Sequence, residues 1–279
     1  MTAVLPLAGD RVATLVAVDL DRTLIYSAAA AGGAEGLTEG LEVVEHLDGA
    51  PLSHATPASW RLLAELAGRA LVVPVTTRTV AQYERVRLPV LPSYALCTNG
   101  GVLLADGVRD PAWDDWAAGT AAQAAPLPEL LGLLEAVAGE PWVRTVRAAE
   151  GMFCYLVAHA REAIPPGWLA DTGAAVTAAG ATLSVQGRKV YVVPAGLSKA
   201  AGLLRLRRLL TGEGPAPRLL CAGDSLLDAP MLLAADAAVR PAHGELHEQD
   251  WTGARVTVTA ASGAAAGEEI VRWLLDRVA

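Results

Sequence analysis

Two acidic residues separated by one position are the strongest candidates for chemistry in this sequence. Asp19 and Asp21 belong to a D-x-D-x-T pattern that ends at Thr23 and directly follows the apolar residues 15–18. In an open α/β sheet, ligands bind beyond the carboxyl ends of the strands, so this position favours a binding cleft. One carboxylate there can attack phosphorus while the other protonates the leaving oxygen and later helps to activate water. The alternative is that the pair only caps a turn.

A second acidic cluster, Asp224 and Asp228, follows the apolar residues 218–222 in the pattern G-D-x-x-x-D. Asp224 stands where it could ligate a metal shared with Asp19. Asp228 could support that metal, but Ser225-x-x-Asp228 is also the pattern of a capping box for the next helix. The two roles are compatible.

The four carboxylates predict a metal ion. Asp19, Asp21, Asp224 and Asp228 converging on one strand edge would repel by about 4 kcal/mol per close pair at an effective dielectric constant of 20. Magnesium suits such a site, because it is a hard ion that takes a few carboxylates, keeps waters and accepts a phosphate oxygen. We therefore expect Mg²⁺ as the cofactor.

Two further positions complete the candidate site. The hydroxyl and main-chain N–H of Thr76, after the apolar residues 71–75, could hold a transferring phosphoryl group, although threonine is common in loops. Lys199 lies at a predicted helix start, where its charge opposes the helix dipole. Contact with an aspartate or a phosphate would explain that placement; an exposed surface lysine is the alternative.

Apolar, β-branched runs alternating with helical patterns predict a Rossmann-like α/β fold, with a parallel sheet covered by helices on both faces. The predicted strands are 13–18, 71–75, 93–97, 218–222, 237–240 and 255–258. Helices are predicted from the N-cap Thr56 to Gly68, from Ser198 through Leu209, and over 268–278. Residues 27–55 are less regular, and we expect a hairpin over 41–53 with Asp48-Gly49 as its turn.

Residues 111–190 differ in composition from the rest of the chain, because Pro and Trp cluster in their first part. We predict that they form an α+β cap domain, inserted into a core formed by residues 1–110 and 191–279. The expected order is two strands, 142–146 and 152–158, a helix near 167–179, and two strands, 182–186 and 189–193. This cap is expected to choose the substrate.

Composition narrows the functional classes. A net charge of −8 argues against broad binding to nucleic acid or membrane surfaces, although a metal or a few cations can still attract an anion into one cleft. The three widely spaced cysteines, Cys97, Cys154 and Cys221, suggest small buried side chains and no disulfide framework. No signal peptide and no apolar run long enough for a membrane span is recognised, so we expect a cytoplasmic protein. The oligomeric state is not predictable from this pattern.

Taken in order, the four clusters resemble the motifs of the haloacid dehalogenase-like superfamily: D-x-D-x-T, a Thr after the second strand, a Lys at a helix start, and G-D-x-x-x-D. The insert between Thr76 and Lys199 resembles a C2-type cap, and the turn around Asn99 resembles that of sucrose-phosphate, trehalose-phosphate and mannosyl-3-phosphoglycerate phosphatases. The resemblance implies a Mg²⁺-dependent phosphatase that acts on a small phosphorylated metabolite, a sugar phosphate, through a phospho-aspartate.

The resemblance also implies a role for each matching residue. Asp19 is the nucleophile, Asp21 the general acid/base, and Thr76 and Lys199 hold the phosphoryl oxygens. The implied metal ligands are Asp19, the main-chain carbonyl of Asp21, Asp224 and Asp228, the last ligating or orienting. The expected substrate-binding residues are Thr77, Arg78, Asn99, Arg188 and Lys189.

Three positions depart from the family pattern: Arg22 and Thr77 stand where glycine is usual, and Leu227 where asparagine often precedes the last aspartate. These changes affect the loops around the phosphate and leave the substrate open. Two other functions are also compatible with the sequence: a phosphomutase of phosphomannomutase type, and a catalytically silent binding module.

Overall fold

The centre of the fold is a parallel sheet of five strands. A computed structural model of the chain describes residues 12–32, 40–211 and 214–278. The strand order is β14-β13-β12-β1-β4, and every neighbouring pair is parallel. These strands are β1 (Thr14–Val18), β4 (Leu71–Pro74), β12 (Arg218–Ala222), β13 (Ala237–Arg240) and β14 (Val256–Val258). The apolar runs form strands because helices cover both faces of the sheet, which confirms the predicted α/β class.

Two helices beside the sheet begin where the sequence signals indicate, whereas the last helix begins at Gly263 instead of the predicted 268 and ends at Leu275 instead of 278. The Thr56 hydroxyl accepts the N–H of Ser59 at 3.0 Å, and the Ser198 hydroxyl accepts the N–H of Ala201 at 3.1 Å. Each bond satisfies an N–H group that lacks a partner in the first helical turn. The core helices are α1 (Ala28–Ala31), α2 (Pro57–Ala67), α3 (Val80–Tyr83), α7 (Lys199–Thr211), α8 (Ala229–Ala234), α9 (Glu245–Glu248) and α10 (Gly263–Leu275).

Two small antiparallel units extend the core. The predicted hairpin is confirmed as β2 (Glu42–Leu47) and β3 (Ala50–Ala55), with positive φ angles at Asp48 and Gly49 in its turn. Residues 33–39 of the irregular stretch lie outside the described residues. The second unit is a meander, joined to the main sheet through a parallel bridge between Val75 and Leu96. Its strands are β5 (Tyr94–Cys97), β6 (Val102–Ala105) and β7 (Val108–Arg109).

A separate four-stranded antiparallel sheet carries the order β10-β11-β9-β8. It has its own apolar cluster, to which two helices contribute. The elements are α5 (Leu127–Glu135), β8 (Val143–Ala149), β9 (Phe153–Ala158), α6 (Pro166–Ala178), β10 (Ala181–Gln186) and β11 (Lys189–Pro194). The order of elements predicted within residues 142–193 is therefore found, with shifts of one to three residues at the ends.

Helix α4 (Pro111–Ala121), at the start of the predicted insert, packs on the core. Trp113 is buried in the apolar cluster beneath α7, and its indole Nε1 donates to the carbonyl of Gly100 at 3.0 Å. The guanidinium of Arg205 in α7 lies 5.4 Å from the Trp113 ring and 5.0 Å from the Trp116 ring. The limits of a cap domain thus remain a prediction.

All three cysteines are buried thiols without a disulfide. Among the described residues, none of the helices has the length and apolar character required to cross a membrane.

Candidate active site

Asp19 and Lys199, 180 positions apart in the chain, meet at the end of the central strand. Asp19 follows β1, and Lys199 opens α7. The lysine Nζ donates to Asp19 Oδ1 at 2.5 Å and to Asp228 Oδ1 at 2.6 Å, with only 1% of its side chain exposed. Its pKa is raised, because its attraction to Asp19 and Asp228 outweighs the burial that works in the other direction. The lysine is therefore a buried, permanently charged group.

The turn before β6 fixes the start of α7 and so the position of Lys199. Gly100 has a φ of +88°, and a Cβ atom there would lie 2.7 Å from the carbonyl oxygen of Ser198, so only glycine permits this approach. Asn99 is buried in the same turn, and its Nδ2 donates to the carbonyl of Leu197 at 3.0 Å. The structure therefore places Asn99 against the chain that leads into α7.

Asp224 and Asp228 join Asp19 at this strand end. One carboxylate oxygen of each of the three residues lies within 4.8 Å of the others, and all three side chains are buried. The second oxygen of Asp228, Oδ2, accepts the N–H of Asp224 at 3.2 Å and both the N–H and hydroxyl of Ser225 at 3.0 and 2.7 Å. The bond from the Ser225 N–H resembles one half of a capping box, but α8 begins only at Ala229 with Asp228 at its N-cap position, so the predicted box does not cap that helix. Asp228 has donors on both of its carboxylate oxygens.

These three buried carboxylates face a single ammonium group. Burial, together with the charges of Asp228 and Asp21, raises the pKa of Asp19 to about 7 against the opposing attraction of Lys199. Burial and the neighbouring Asp19 raise the pKa of Asp224 as well. The group has a surplus of negative charge and an oxygen-only donor set, which is what a hard divalent cation requires. The residues present therefore fit a magnesium ion held by Asp19 and Asp224.

Asp21 has a different environment, although it is only two positions from Asp19. Its Oδ2 and Oδ1 accept from Nε and Nη2 of Arg78 at 2.7 and 2.8 Å. Burial works to raise the pKa of Asp21, but Arg78 outweighs it and lowers that pKa. Nearly half of the Asp21 side chain is exposed. Its carboxylate is thus held ionised at the edge of a cavity.

Arg78 uses all of its donors inside the protein. In addition to the two bonds to Asp21, its Nη1 and Nη2 donate to the two carboxylate oxygens of Glu45, and Nη1 also donates to the carbonyl of Gln82 at 3.1 Å. The expectation that Arg78 binds substrate therefore has no free N–H group to support it in this structure.

The loop after β4 brings two threonines to the same strand end. Thr76 is fully buried, its N–H donates to Leu96 at 2.8 Å, and its hydroxyl accepts the N–H of Arg78 at 3.1 Å. Thr77 lines the neighbouring cavity. The Thr77 residue that replaces the usual glycine therefore lies on the wall of the cavity that Asp21 also lines.

That cavity, of about 400 Å³, lies between the strand ends and the turn joining β10 to β11. Asp21, Asp224 and Arg22 line its floor, and Arg188 and Lys189 line the side of the antiparallel sheet. Arg188 also donates to the carbonyl of His159 at 3.3 Å, and the Lys189 Nζ lies 6.0 Å from the ring centres of Tyr155 and Tyr191. The structure thus brings Thr77, Arg188 and Lys189 to one cavity with the two carboxylates.

Hydrogen bonds connect the antiparallel sheet, which covers this cavity, to the loop that carries Asp224. Glu245 of α9 accepts the N–H of Val185 in β10 at 3.2 Å and the N–H of Leu226 at 3.0 Å. Gln186 Nε2 donates to the hydroxyl of Ser225 at 3.1 Å. The sheet therefore rests directly on the loop that carries Asp224.

Sequence reasoning missed three residues at this site. Thr23 donates its hydroxyl to Asp19 Oδ2 at 3.4 Å, and Arg22, with a φ of +61°, lies with its Nε 3.8 Å from Asp224 Oδ2. Glu45 is the third, and its carboxylate is fully buried. The D-x-D-x-T pattern contained the signal for Thr23, whereas Arg22 was noted only because it stands where glycine is usual. Glu45 carried no signal, because its partner Arg78 lies 33 positions away.

Comparison with known proteins supports the fold. No protein-family model matches this chain, and no curated protein sequence matches it. Among solved structures, the sucrose-phosphatase of Synechocystis in complex with sucrose and phosphate is 15% identical, with a TM-score of 0.64 over 95% of this chain and 98% of that chain. A subclass IIB sugar phosphatase of the HAD superfamily is 12% identical, with a TM-score of 0.61 over 94% and 98%. A haloacid dehalogenase-like hydrolase from B. subtilis is 17% identical, with a TM-score of 0.55 over 95% and 100%. The chain therefore has the fold of the haloacid dehalogenase-like phosphatases, as its motifs implied.

Proposed function

We propose that this protein is a Mg²⁺-dependent phosphatase that hydrolyses a small phosphorylated metabolite through a phospho-aspartate at Asp19. The observation that carries the proposal is the position of Lys199, which is buried between Asp19 and Asp228. A buried ammonium group between two carboxylates is costly to build for stability alone, since apolar packing in its place is often as stable. Its charge is of use when a phosphoryl group, with charge on its oxygens, approaches Asp19.

In the first step, Oδ2 of Asp19, which among the described residues accepts only the long 3.4 Å bond from the Thr23 hydroxyl, attacks phosphorus, and the bond between phosphorus and the ester oxygen breaks. The leaving oxygen takes a proton from the Asp21 carboxyl group, so that the alcohol departs neutral. Because Arg78 favours the ionised form of this carboxylate, Asp21 takes up that proton from water before the ester bond breaks. Lys199 and the Thr76 loop stabilise the charge on the phosphoryl oxygens.

In the second step, a water molecule attacks the phosphorus of the phospho-aspartate and gives its proton to Asp21. The bond between Asp19 and phosphorus breaks, inorganic phosphate leaves, and the Asp19 carboxylate is restored. The net reaction consumes one water and yields an alcohol and phosphate.

Asp19, Asp224 and the main-chain carbonyl of Asp21 would hold magnesium, with Asp228 orienting Lys199 and the Ser225 loop. Bound there, the ion would polarise a phosphoryl oxygen and neutralise the surplus negative charge.

We further propose a sugar phosphate as the substrate class. Solved structures with this fold include a sucrose-phosphatase and a sugar phosphatase, and the cavity over Asp21 and Asp224 is large enough for a small polar molecule. Lys189 and Arg188, with Thr77 opposite, offer donors to hydroxyl or anionic groups of such a substrate.

Release of inorganic phosphate from a panel of sugar phosphates, phosphoglycerates and nucleotides, with and without Mg²⁺, tests the proposal. We expect Mg²⁺-dependent release by the wild type and a loss of at least ~10⁴-fold in Asp19→Asn, which removes the attacking group. Unchanged thermal unfolding of the variant would show that the fold is intact. Appreciable activity in Asp19→Asn would exclude Asp19 as nucleophile. Transfer of phosphate to a second hydroxyl, without release, would favour a phosphomutase, and inactivity across the panel would favour a binding module.

A further inference from the structure

The Asp21 carboxylate is bound by the guanidinium of Arg78, and this guanidinium is in turn bound by a second carboxylate, that of Glu45. Arg78 donates Nε and Nη2 to the two oxygens of Asp21 at 2.7 and 2.8 Å, so the pair is bidentate. The plane of the guanidinium thereby sets the plane of the carboxylate. Each carboxylate oxygen has a second lone pair that this contact does not use, and Asp21 borders the cavity.

Glu45 forms a second bidentate pair on the Nη1/Nη2 edge of the same guanidinium, next to the Nε/Nη2 edge that Asp21 occupies. Nη1 and Nη2 of Arg78 lie 2.8 and 2.9 Å from Oε1 and Oε2 of Glu45. Ser53, across the hairpin, donates its hydroxyl to Oε2 at 2.6 Å, and Arg85 donates Nε to Oε1 at 3.1 Å. Glu45 therefore has donors on both oxygens, and none of its side chain is exposed.

The β2–β3 hairpin is distorted in a way that produces this arrangement. The pairing of β2 with β3 shifts between Val43 and Glu45 and again between Glu45 and His46. Regular alternation would send Val44 and Glu45 to opposite faces, but both are buried. Such bulges re-aim side chains and occur next to active sites more often than elsewhere.

A fully buried glutamate is not needed to stabilise the packing of the hairpin on the sheet, because a buried ion pair is often no more stable than apolar packing. The negative charge of Glu45 has a function if the guanidinium of Arg78 must be held in one orientation. A guanidinium paired only with the half-exposed Asp21 would be free to follow that side chain, whereas two bidentate pairs fix it in position.

We propose that Glu45 is a positioning residue for the reaction: through Arg78 it holds the Asp21 carboxylate in the orientation from which it exchanges a proton with the leaving oxygen. The inference rests on the proposed function and adds to it a role for the hairpin. Glu45 touches neither the substrate cavity nor Asp19; it acts through Arg78 alone.

The requirement for a proton on the leaving group distinguishes positioning from general structural support. A sugar alkoxide is a poor leaving group and needs the proton from Asp21, whereas p-nitrophenolate is a stable anion and departs without it. The ratio kcat/KM reports steps up to the first irreversible one, here phosphorylation of Asp19, so later hydrolysis does not obscure the comparison.

The experiment measures kcat/KM of wild type and Glu45→Gln with Mg²⁺, using the sugar phosphate that the wild type hydrolyses best and p-nitrophenyl phosphate. Glutamine keeps the shape but loses the charge and one acceptor. We expect a fall of ~10- to 100-fold for the sugar phosphate, the cost of misplacing a catalytic group by a fraction of an ångström. For p-nitrophenyl phosphate we expect a change within ~3-fold, since proton donation contributes little to its departure.

Arg85→Gln is the matched control, because it removes a cation from Glu45 and leaves both pairs of Arg78 in place. Its kcat/KM should stay within ~3-fold of wild type for both substrates, as for other partly exposed ion pairs. Should Glu45→Gln lack a cooperative thermal transition, Arg78→Lys serves instead, since a lysine cannot form two bidentate pairs and should show the same selective loss.

Equal losses for both substrates, or no loss for either, would overturn the positioning role while leaving the phosphatase assignment in place. A wild type that releases phosphate from neither substrate would instead overturn the proposed function, and this inference with it.

Discussion

Two clusters of charged side chains lie side by side at the strand ends, and they differ in how cations balance the charge of their carboxylates. In the first, which we name the lysine cluster, Asp19, Asp224 and Asp228 surround Lys199. In the second, the arginine cluster, Asp21 and Glu45 are paired with Arg78 and Arg85. Only Leu20 separates the two clusters along the chain at this point.

The difference lies in the balance of charge. The lysine cluster has three buried carboxylates against one buried ammonium group and the partly exposed guanidinium of Arg22, 3.8 Å from Asp224, and the pKa values of Asp19 and Asp224 are raised, chiefly by burial. The arginine cluster has two carboxylates and two guanidinium groups; burial there is outweighed by Arg78, and the pKa values of Asp21 and Glu45 are lowered. A balanced cluster holds its members rigidly, whereas an unbalanced one requires a further cation. Charged side chains of the same kinds therefore form a rigid, balanced network in the arginine cluster and a site that favours a further cation in the lysine cluster.

The largest effect on stability is expected from Lys199→Met. Its removal leaves Asp19 and Asp228 buried together without a cation, which typically costs about 3–5 kcal/mol of unfolding free energy. Arg85→Gln in the arginine cluster should cost less than about 1 kcal/mol, because Arg78 still neutralises Glu45. Urea unfolding in EDTA measures both. A loss below 1 kcal/mol for Lys199→Met would contradict the proposed dependence of the lysine cluster on its buried ammonium group.

A smaller effect is expected when Mg²⁺ is added. An ion that binds only the folded protein, at 100 times its dissociation constant, stabilises by about 2.7 kcal/mol. For a chain of this size that corresponds to a rise in Tm of several degrees. Asp224→Asn should show little or no rise, whereas Glu45→Gln should respond as the wild type does. Thermal unfolding with and without Mg²⁺ checks this, and an equal rise in Asp224→Asn would remove Asp224 from the ion site.

The smallest effect is a pH dependence of the metal-free protein. The pKa of Asp19 is about 7 in the folded state and 3.8 in its reference state, so the folded protein holds more protons between these values. The contribution of Asp19 to stability is therefore fully present below pH 3.8 and is lost as the pH rises toward 7, by about 1.4 kcal/mol per pH unit for one such group.

Urea unfolding in EDTA at pH 5 and pH 6 measures this slope. Saturating Mg²⁺ should flatten it, because the cation replaces the proton. Glu45→Gln should leave it unchanged, since the pKa of Glu45 is lowered from 4.5 and that group stays charged over this interval. A slope of the opposite sign would show that the lysine cluster carries no surplus of negative charge.

The sequence by itself determined the sheet, the order of the elements and the identity of the lysine cluster. Apolar β-branched runs form buried parallel strands, and polar residues directly after them must lie at one edge of the sheet, where Asp19, Thr76 and Asp224 are found. Lys199 could be predicted too, because a cation at a helix start lacks a favourable local partner. Local signals also determined the caps at Thr56 and Ser198 and the hairpin turn at Asp48-Gly49.

Only the tertiary structure decided how the two clusters divide their charges. Glu45 meets Arg78 because two pairing shifts rotate it inward, and a bulge depends on the fit between two strands, which hydrophobic alternation does not record. The substrate-binding roles of Asn99 and Arg78 stay predictions, but residue type did not show that Asn99 Nδ2 donates to Leu197 or that the N–H groups of Arg78 are bonded to Asp21, Glu45 and Gln82. Residue type limits the bonds that a side chain can make, and distant parts of the chain determine which of them form.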